Sequence, residues 1–236
     1  VKSFFKALGA ALFFLPEYVV RTIGFETFSY FGRAFSRPLK LGKAGNYINL
    51  GCGRNVVSGC INIDFFGAKG IDYSADLRYP LKIASGAVDG IFSEHTLEHL
   101  AYPHADLLLK ECHRIMKPGA RIRIVVPDVS LFVVNYNSGS NAWFEKWEEL
   151  YFTNSPDPER RKRQLGSPLE ALSFVTQEYG HQSCWDFQTL SNHLGRSGFV
   201  DIVRCTFMQG RDHRLLLDQD EEDRKYVSLY VEAAKA

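Results

Sequence analysis

Three residues in the stretch SEHTLEHL, Ser93 to Leu100, have the types and spacing to do chemistry. His95, Glu98 and His99 spell H-x-x-E-H, and on a helix two histidines four positions apart can grip one zinc ion from a single face. That reading would make the chain a zinc hydrolase, with a third ligand supplied from elsewhere. A second reading makes the same residues the loop and helix start beyond a parallel strand, facing a nucleotide-like group. The apolar run VDGIFS stands directly before them, so His95 follows a strand end at once. It then precedes the helix or occupies its first turn, where the shared face is lost. The spacing favours the second reading, and no metal site is expected.

A loop that faces a ligand has to be held by strands. Four short apolar runs supply them: YINLGCG, INIDFF, VDGIFS and ARIRIVVPD. Between the last two, ADLLLKECHRIMKPG sets Leu107, Leu108, Glu111, Cys112, Ile115 and Met116 at helical spacing until Pro118-Gly119 stops it. Strands alternating with helices predict a doubly wound, mostly parallel sheet. Ligands of such sheets bind at the carboxyl ends of the strands, where strand order reverses. Here those ends carry Gly51-Cys52-Gly53, Asp64, and Ser93 to His95. Glycines let backbone N–H groups approach a ligand closely. Asp64 can accept two charge-assisted hydrogen bonds from a ribose diol. Asp76, in YSADLRYPL, follows a further strand end and can accept from an adenine amino group, with Leu77 packing on the ring. A nicotinamide fingerprint fits poorly. It needs a third glycine where Val56 stands, and its acid falls about 20 residues on, far beyond Asp64.

The remaining segments frame this core. Residues 1–45 read as helices broken at Pro16 and Pro38. Lys2 and Lys6 precede an apolar run from Ala7 to Leu15, too short to span a bilayer. Those helices are expected to pack on the core, with a peripheral membrane contact as the alternative. Only Arg54 to Cys60 separate the glycine loop from the next strand, too few for a crossover helix. One sheet face is thereby left bare, and the N-terminal helices are expected to cover it. Residues 46–128 form the core, and residues 129–183, rich in aromatics, read as an inserted cap. Residues 184–236 hold an amphipathic helix near Trp185 to Arg196 and a ribbon of two strands, GFVDIVRCTF and YVSLYVEAAK. The run ERRKR reads as a solvated face. A length of 236 residues suits one domain, and a net charge of +1 argues against a nucleic-acid partner. Five cysteines without a C-x-x-C pair predict free thiols in a reducing, cytoplasmic setting.

Taken together, INLGCG, INIDFF, ADLRYPL, VDGIFSEHTLEHL and LLKECHRIMKPGARIRIVVPD resemble the class I S-adenosylmethionine-dependent methyltransferases. The nearest resemblance is to a small bacterial branch with a shortened first crossover, often linked to glycan or cell-surface biosynthesis. The resemblance spans roughly Asn46 to Asp128. It implies a Rossmann-like seven-stranded sheet with a C-terminal antiparallel strand, and S-adenosylmethionine as cofactor, released as S-adenosylhomocysteine. By matching position, Asn49, Gly51, Cys52 and Gly53 would surround the methionine and ribose of the cofactor. Asp64, with Phe65 beside it, would bind the ribose, and Asp76 with Leu77 the adenine. Ser93, Glu94 and His95 would line the pocket near the sulfonium. The branch usually has an acid where Asn49 stands, so attraction to the cofactor's ammonium is lost there. The implied reaction is methyl transfer to a small-molecule, glycan or lipid-linked acceptor, with oxygen the expected methylated atom. A hydroxyl acceptor needs a base, for which His181, in YGHQSCWD, and His95 stand first and His99 third. A catalytically silent cofactor-binding protein is the rival reading.

Overall fold

A computed structural model describes residues 17–236, so the expectations for Lys2, Lys6 and the Ala7–Leu15 run lie outside the described residues. A helix, α1 (Glu17–Phe35), is followed by β1 (Tyr47–Leu50), β2 (Ile61–Asp64), a two-residue β3 (Tyr73–Ser74) and β4 (Val88–Glu94). After α2 (Tyr102–Ile115) comes β5 (Met116–Pro127). The cap holds α3 (Val129–Asn137), α4 (Asn141–Glu148), α5 (Pro158–Arg161) and α6 (Pro168–Gln177). Then follow α7 (Phe187–Arg196), β6 (Phe199–Cys205), α8 (Glu222–Val227) and β7 (Ser228–Lys235).

The strands make one sheet in the order β3-β2-β1-β4-β5-β7-β6. β1 to β5 pair in parallel, and β7 runs antiparallel to both neighbours. Strand order therefore reverses between β1 and β4, as the doubly wound reading requires. Because successive side chains point to opposite faces, each strand feeds two cores. Ile48, Leu50, Ile91, Ile122, Ile124, Leu229 and Val231 pack on one face against Leu108, Leu109 and Cys112 of α2 and Leu190 and Leu194 of α7. α2 ends at Ile115, and Met116 is already extended at ψ 150, ahead of the Pro118-Gly119 stop.

The opposite face corrects one expectation. Among the described residues, Tyr47, Phe92, Val125 and Tyr230 are covered by Leu215, Phe207 and Leu217, from the long connection after β6, and not by α1. The physical reason sits in the face itself. Arg123 and Glu232 project from it with side chains 0% exposed, and buried charges require charged and polar partners. The β6–α8 connection supplies them: Asp218 and the carbonyls of Thr206 and Gln209 all accept from Arg123.

α1 lies elsewhere, against the carboxyl ends of β2 and β3. Its Phe25 stacks on Phe65 with ring centroids 4.4 Å apart, and its Glu26 meets Arg78 at 2.6 Å. The short first crossover is a turn held by amides. Asn49 Nδ2 donates to the Asn55 carbonyl (2.7 Å) and to Asn62 Oδ1 (3.1 Å), while Asn62 Nδ2 donates to the Val57 carbonyl (3.0 Å). All five cysteines are free thiols.

The cap leaves and re-enters the sheet at one point. Asp128 bridges Trp185, and Val129 N donates to the Trp185 carbonyl at 3.0 Å. Phe132, Phe144, Trp147, Phe152, Phe174 and Val175 give the cap its own core, closed by Val227 of α8. Asp186 caps α7 by accepting from Thr189 N at 2.7 Å, which starts that helix at Phe187.

Candidate active site

The loop after β1 is shaped by its glycines. Gly51 has φ +67, and a Cβ there would stand 2.3 Å from the Thr96 side chain, so only glycine fits beneath the segment that follows β4. A Cβ at Gly53 would meet nothing within 4 Å, so that part of the loop faces open space. Gly53 N donates to Asp64 Oδ2 at 2.8 Å, fixing the carboxylate at the end of β2 beside that space. Asp64 Oδ1 takes only a long bond of 3.3 Å from Phe66 N, which leaves acceptor capacity for a ligand diol. Asn49 is buried, and its amide is spent on the crossover turn described above. The Cys52 thiol is pushed up to about 11, first by burial and then by the Asp64 charge, so it stays neutral.

Asp76, Leu77 and Phe65 sit where the sequence places them but are already engaged. Leu77 packs into the main core. Asp76 Oδ1 accepts from the backbone N and Nε of Arg78, each at 3.0 Å, and Oδ2 from Arg78 Nη2 at 2.6 Å and from Ser29 of α1. Burial pushes this carboxyl up, but the Arg78 and Ser29 hydrogen bonds outweigh it and hold it below its ordinary value. Arg33 of α1 completes the contact, its guanidinium 3.5 Å from the Tyr79 ring centre. Sequence reading missed this role of α1. The available signal was the spacing of Glu26, Ser29 and Arg33, three and four positions apart on one helical face.

Past β4 the chain turns sharply. Ser93 Oγ donates to the Leu50 carbonyl at 3.1 Å, tying the β4 end to β1. Glu94 is turned toward the segment before α8, accepting from Gln219 Nε2 at 2.9 Å with Arg224 at 3.5 Å. Burial pushes its carboxyl up, and Arg224 and His95 offset only part of that. His95 takes the left-handed conformation, φ 48, rare for a residue with a side chain. Leu97–His99 is a single 3-10 turn, so His95 precedes it and no α-helical face joins His95 to His99.

Between these strand ends and the cap lies a cavity of about 350 Å³, lined by His95, Glu98, His99, Tyr151, Arg160 and His181 among others. The three histidines that the sequence ranks as candidate bases therefore share one space, although His181 is far from the others in the chain. The His99 and His181 ring centres are 4.9 Å apart. Glu98, 1% exposed, lies beneath them. His95 Nδ1 stands 3.2 Å from Glu98 Oε1, close enough for charge attraction but not aligned as a hydrogen bond. Burial pushes the Glu98 carboxyl up, yet His95 and His99 pull it below its ordinary value. Burial lowers His99, and the Glu98 charge recovers only part of the loss. The ERRKR run is an exposed face at Glu159, Arg161, Lys162 and Arg163, and only Arg160 departs from it. Arg161 bonds the Ser155 carbonyl, Lys162 pairs with Glu159 and Arg163 with Glu178, while Arg160 turns inward over the Tyr151 ring, 4.6 Å from its centre.

Residues 67–124 match the methyltransferase domain family model. No curated protein matches the chain in sequence. Similar solved structures include an S-adenosylmethionine-dependent methyltransferase from Archaeoglobus fulgidus, 16% identical with TM-score 0.46, covering 93% of this chain and 100% of its own. Another, from Mesorhizobium loti, is 17% identical with TM-score 0.43, covering 86% and 95%. The phosphoethanolamine N-methyltransferase 2 of Haemonchus contortus, with S-adenosylmethionine bound, is 12% identical with TM-score 0.44, covering 84% and 50%. The chain thus spans half the length of that enzyme, and 35% of the methyltransferase SibL. The match marks residues 67–124 as part of a methyltransferase domain, set in a doubly wound sheet. S-adenosylmethionine is the cofactor that such a domain uses. The open floor at Gly53 and the Asp64 carboxylate beside it fit the ribose and methionine end of that group.

Proposed function

We propose that the chain transfers the cofactor's methyl group to a hydroxyl of a small-molecule, glycan or lipid-linked acceptor held in the cavity under the cap. The observation that carries this reading is the convergence of His95, His99 and His181 on one cavity beyond the end of β4. Thr96, next in the chain to His95, ties that segment to the glycine loop, its Oγ1 donating to the Gly51 carbonyl at 3.1 Å.

The bound cofactor supplies an electrophilic methyl carbon. The chain's own part is placement of the acceptor in line with it, the effect on which such displacements depend most. The cofactor would supply that carbon to the acceptor oxygen and keep the electron pair of the broken bond on its sulfur, while a neighbouring imidazole, His95, His99 or His181, would take the hydroxyl proton. A volume of about 350 Å³ suits a small molecule or the end of a glycan. Tyr179 adds an aromatic wall to the cavity, and Arg160, held over the Tyr151 ring, adds a charged donor.

The same proposal includes a peripheral membrane contact for a lipid-linked acceptor. α1 carries exposed Phe28, Tyr30, Phe31 and Phe35, the last 78% exposed, an aromatic set suited to a bilayer interface. No described helix is long and apolar enough to cross a membrane. Incubating the protein with methyl-labelled cofactor and a panel of hydroxyl, amine and thiol acceptors tests the reaction. Label on a hydroxyl acceptor, reduced about 10²–10⁴-fold in His181→Ala, supports it. Label only on amines or thiols would sink the oxygen assignment. Co-sedimentation with lipid vesicles, weakened by Phe31→Ser with Phe35→Ser, tests the membrane contact, and no sedimentation rejects it.

A further inference from the structure

We propose that Glu98, His99 and His181 bind one divalent transition-metal ion, zinc or an ion of similar coordination chemistry, with an open position toward the cavity. One ligand atom from each residue lies within 4.8 Å of the other two. A tetrahedral zinc site with bonds of 2.0–2.1 Å sets its ligand atoms about 3.3 Å apart, so side-chain shifts of about 1 Å would close the set.

Two independent features of these residues are those of a ligand set. The first is Glu98. It is 1% exposed, and neither carboxylate oxygen has a hydrogen-bond partner. A carboxylate so placed is costly unless a cation meets it, and the nearest imidazole, His95, is only in charge range. The second feature lies on the far side of the His181 imidazole. His181 Nδ1 is bound to the Val175 carbonyl at 2.7 Å, which turns the other ring nitrogen of His181 away from that bond. Metal-bound histidines are oriented in this way, one ring N–H given to a carbonyl and the other nitrogen left with its lone pair. The two ligand-bearing segments are also fastened together. Gln182 N and Ser183 N both donate to the Glu98 carbonyl, at 2.7 and 3.2 Å.

Two imidazoles and a carboxylate select zinc, iron, cobalt or manganese over calcium or magnesium, which prefer all-oxygen sets. Three protein ligands and one open position are the pattern of a catalytic metal site rather than a structural one. An acceptor hydroxyl bound there would lose its proton more readily, and with His99 and His181 given to the ion His95 would be the imidazole left to take it. That use rests on the methyl-transfer reading; the binding of the ion does not. H-x-x-E-H thus marks a metal site with one wrong partner. His181 from the cap edge, not His95, joins His99.

The test is a calorimetric titration of chelator-stripped protein with Zn²⁺ and with Co²⁺, together with the visible absorption of the cobalt form. One ion per chain is expected, with cobalt ligand-field bands. His181→Ala and Glu98→Gln should each weaken binding by more than about tenfold, since even outer-sphere partners of metal ligands are worth that much. His104→Ala, on α2 away from the cavity, should not. Folding of each variant is checked by circular dichroism, and His181→Ala, on a half-buried loop, answers alone if Glu98→Gln does not fold. A folded wild type that binds no ion overturns the proposal, as does undiminished binding by His181→Ala. S-adenosylhomocysteine binding by the stripped protein is measured in parallel. Its absence would sink the methyltransferase reading while leaving the metal site standing.

Discussion

Arg123→Met tests how the second face of the sheet is held. The Arg123 guanidinium is fully buried and makes bonds of 2.7 Å to Asp218 Oδ1, 3.0 Å to the Gln209 carbonyl and 3.0 Å to the Thr206 carbonyl, with Glu232 at 3.3 Å. Methionine fills much the same volume but leaves the buried Asp218 without a cation and Glu232 with only Arg121, at 3.3 Å. Removing one partner of a buried pair costs about 3–5 kcal/mol. Each carbonyl left without a donor adds about 1–3 kcal/mol before water enters. Because these losses share one relaxation, about 4 kcal/mol in all is expected, a large part of a total stability of about 5–15 kcal/mol. For a chain of this size that lowers Tm by roughly 10 °C. Urea unfolding followed by circular dichroism measures the difference. The triple variant Arg123→Met, Asp218→Leu, Glu232→Met should recover most of it, since replacing a whole buried ion cluster with apolar groups is often neutral. A single-variant loss below about 1 kcal/mol, or a triple variant no better than the single, would refute the reasoning.

Gly51→Ala should abolish S-adenosylhomocysteine binding by calorimetry while leaving the fold intact, because its Cβ would clash with Thr96 at a positive φ; binding within a few-fold of wild type would contradict this. Adding Thr96→Gly should restore part of the affinity, the backbone strain remaining. The docking of α1 should fail in acid. Asp76 is held below its ordinary value, so its contribution is complete above the unfolded value of about 3.9 and is lost as pH falls through the folded one. Hydrogen exchange over residues 17–35, corrected for intrinsic rates, should quicken in acid, and Arg78→Ala should reproduce this at neutral pH. Equal protection at both pH values would reject that role for the Asp76–Arg78 pair.

The sheet was legible because its signals are local. YINLGCG, INIDFF, VDGIFS and ARIRIVVPD are each a strand with its turn, and their order encodes the doubly wound topology. β3 is only two residues long, too short to carry a period of its own. The cover over the second face was not legible, because what selects it is a buried arginine on β5 meeting Asp218, far along the chain. Nothing in the local pattern of ARIRIVVPD separates a buried Arg123 from its half-exposed neighbour Arg121. The individual histidines of the cavity were readable as candidates, but their convergence was not. His181 reaches His99 only because Val129 and Trp185 bring the ends of the cap together. Arg160 likewise differs from its charged neighbours only in which way the short α5 presents it.

The most direct test of the account is a calorimetric titration of the purified protein with S-adenosylhomocysteine beside Asp64→Ala. Saturable 1:1 binding is predicted, weakened at least about 10²-fold by the substitution, since two hydrogen bonds to a charged group at about 1.5–3 kcal/mol each are removed. A well-folded wild type that shows no saturable binding would contradict the central claim that the loop of Gly51 to Gly53 and Asp64 hold this cofactor.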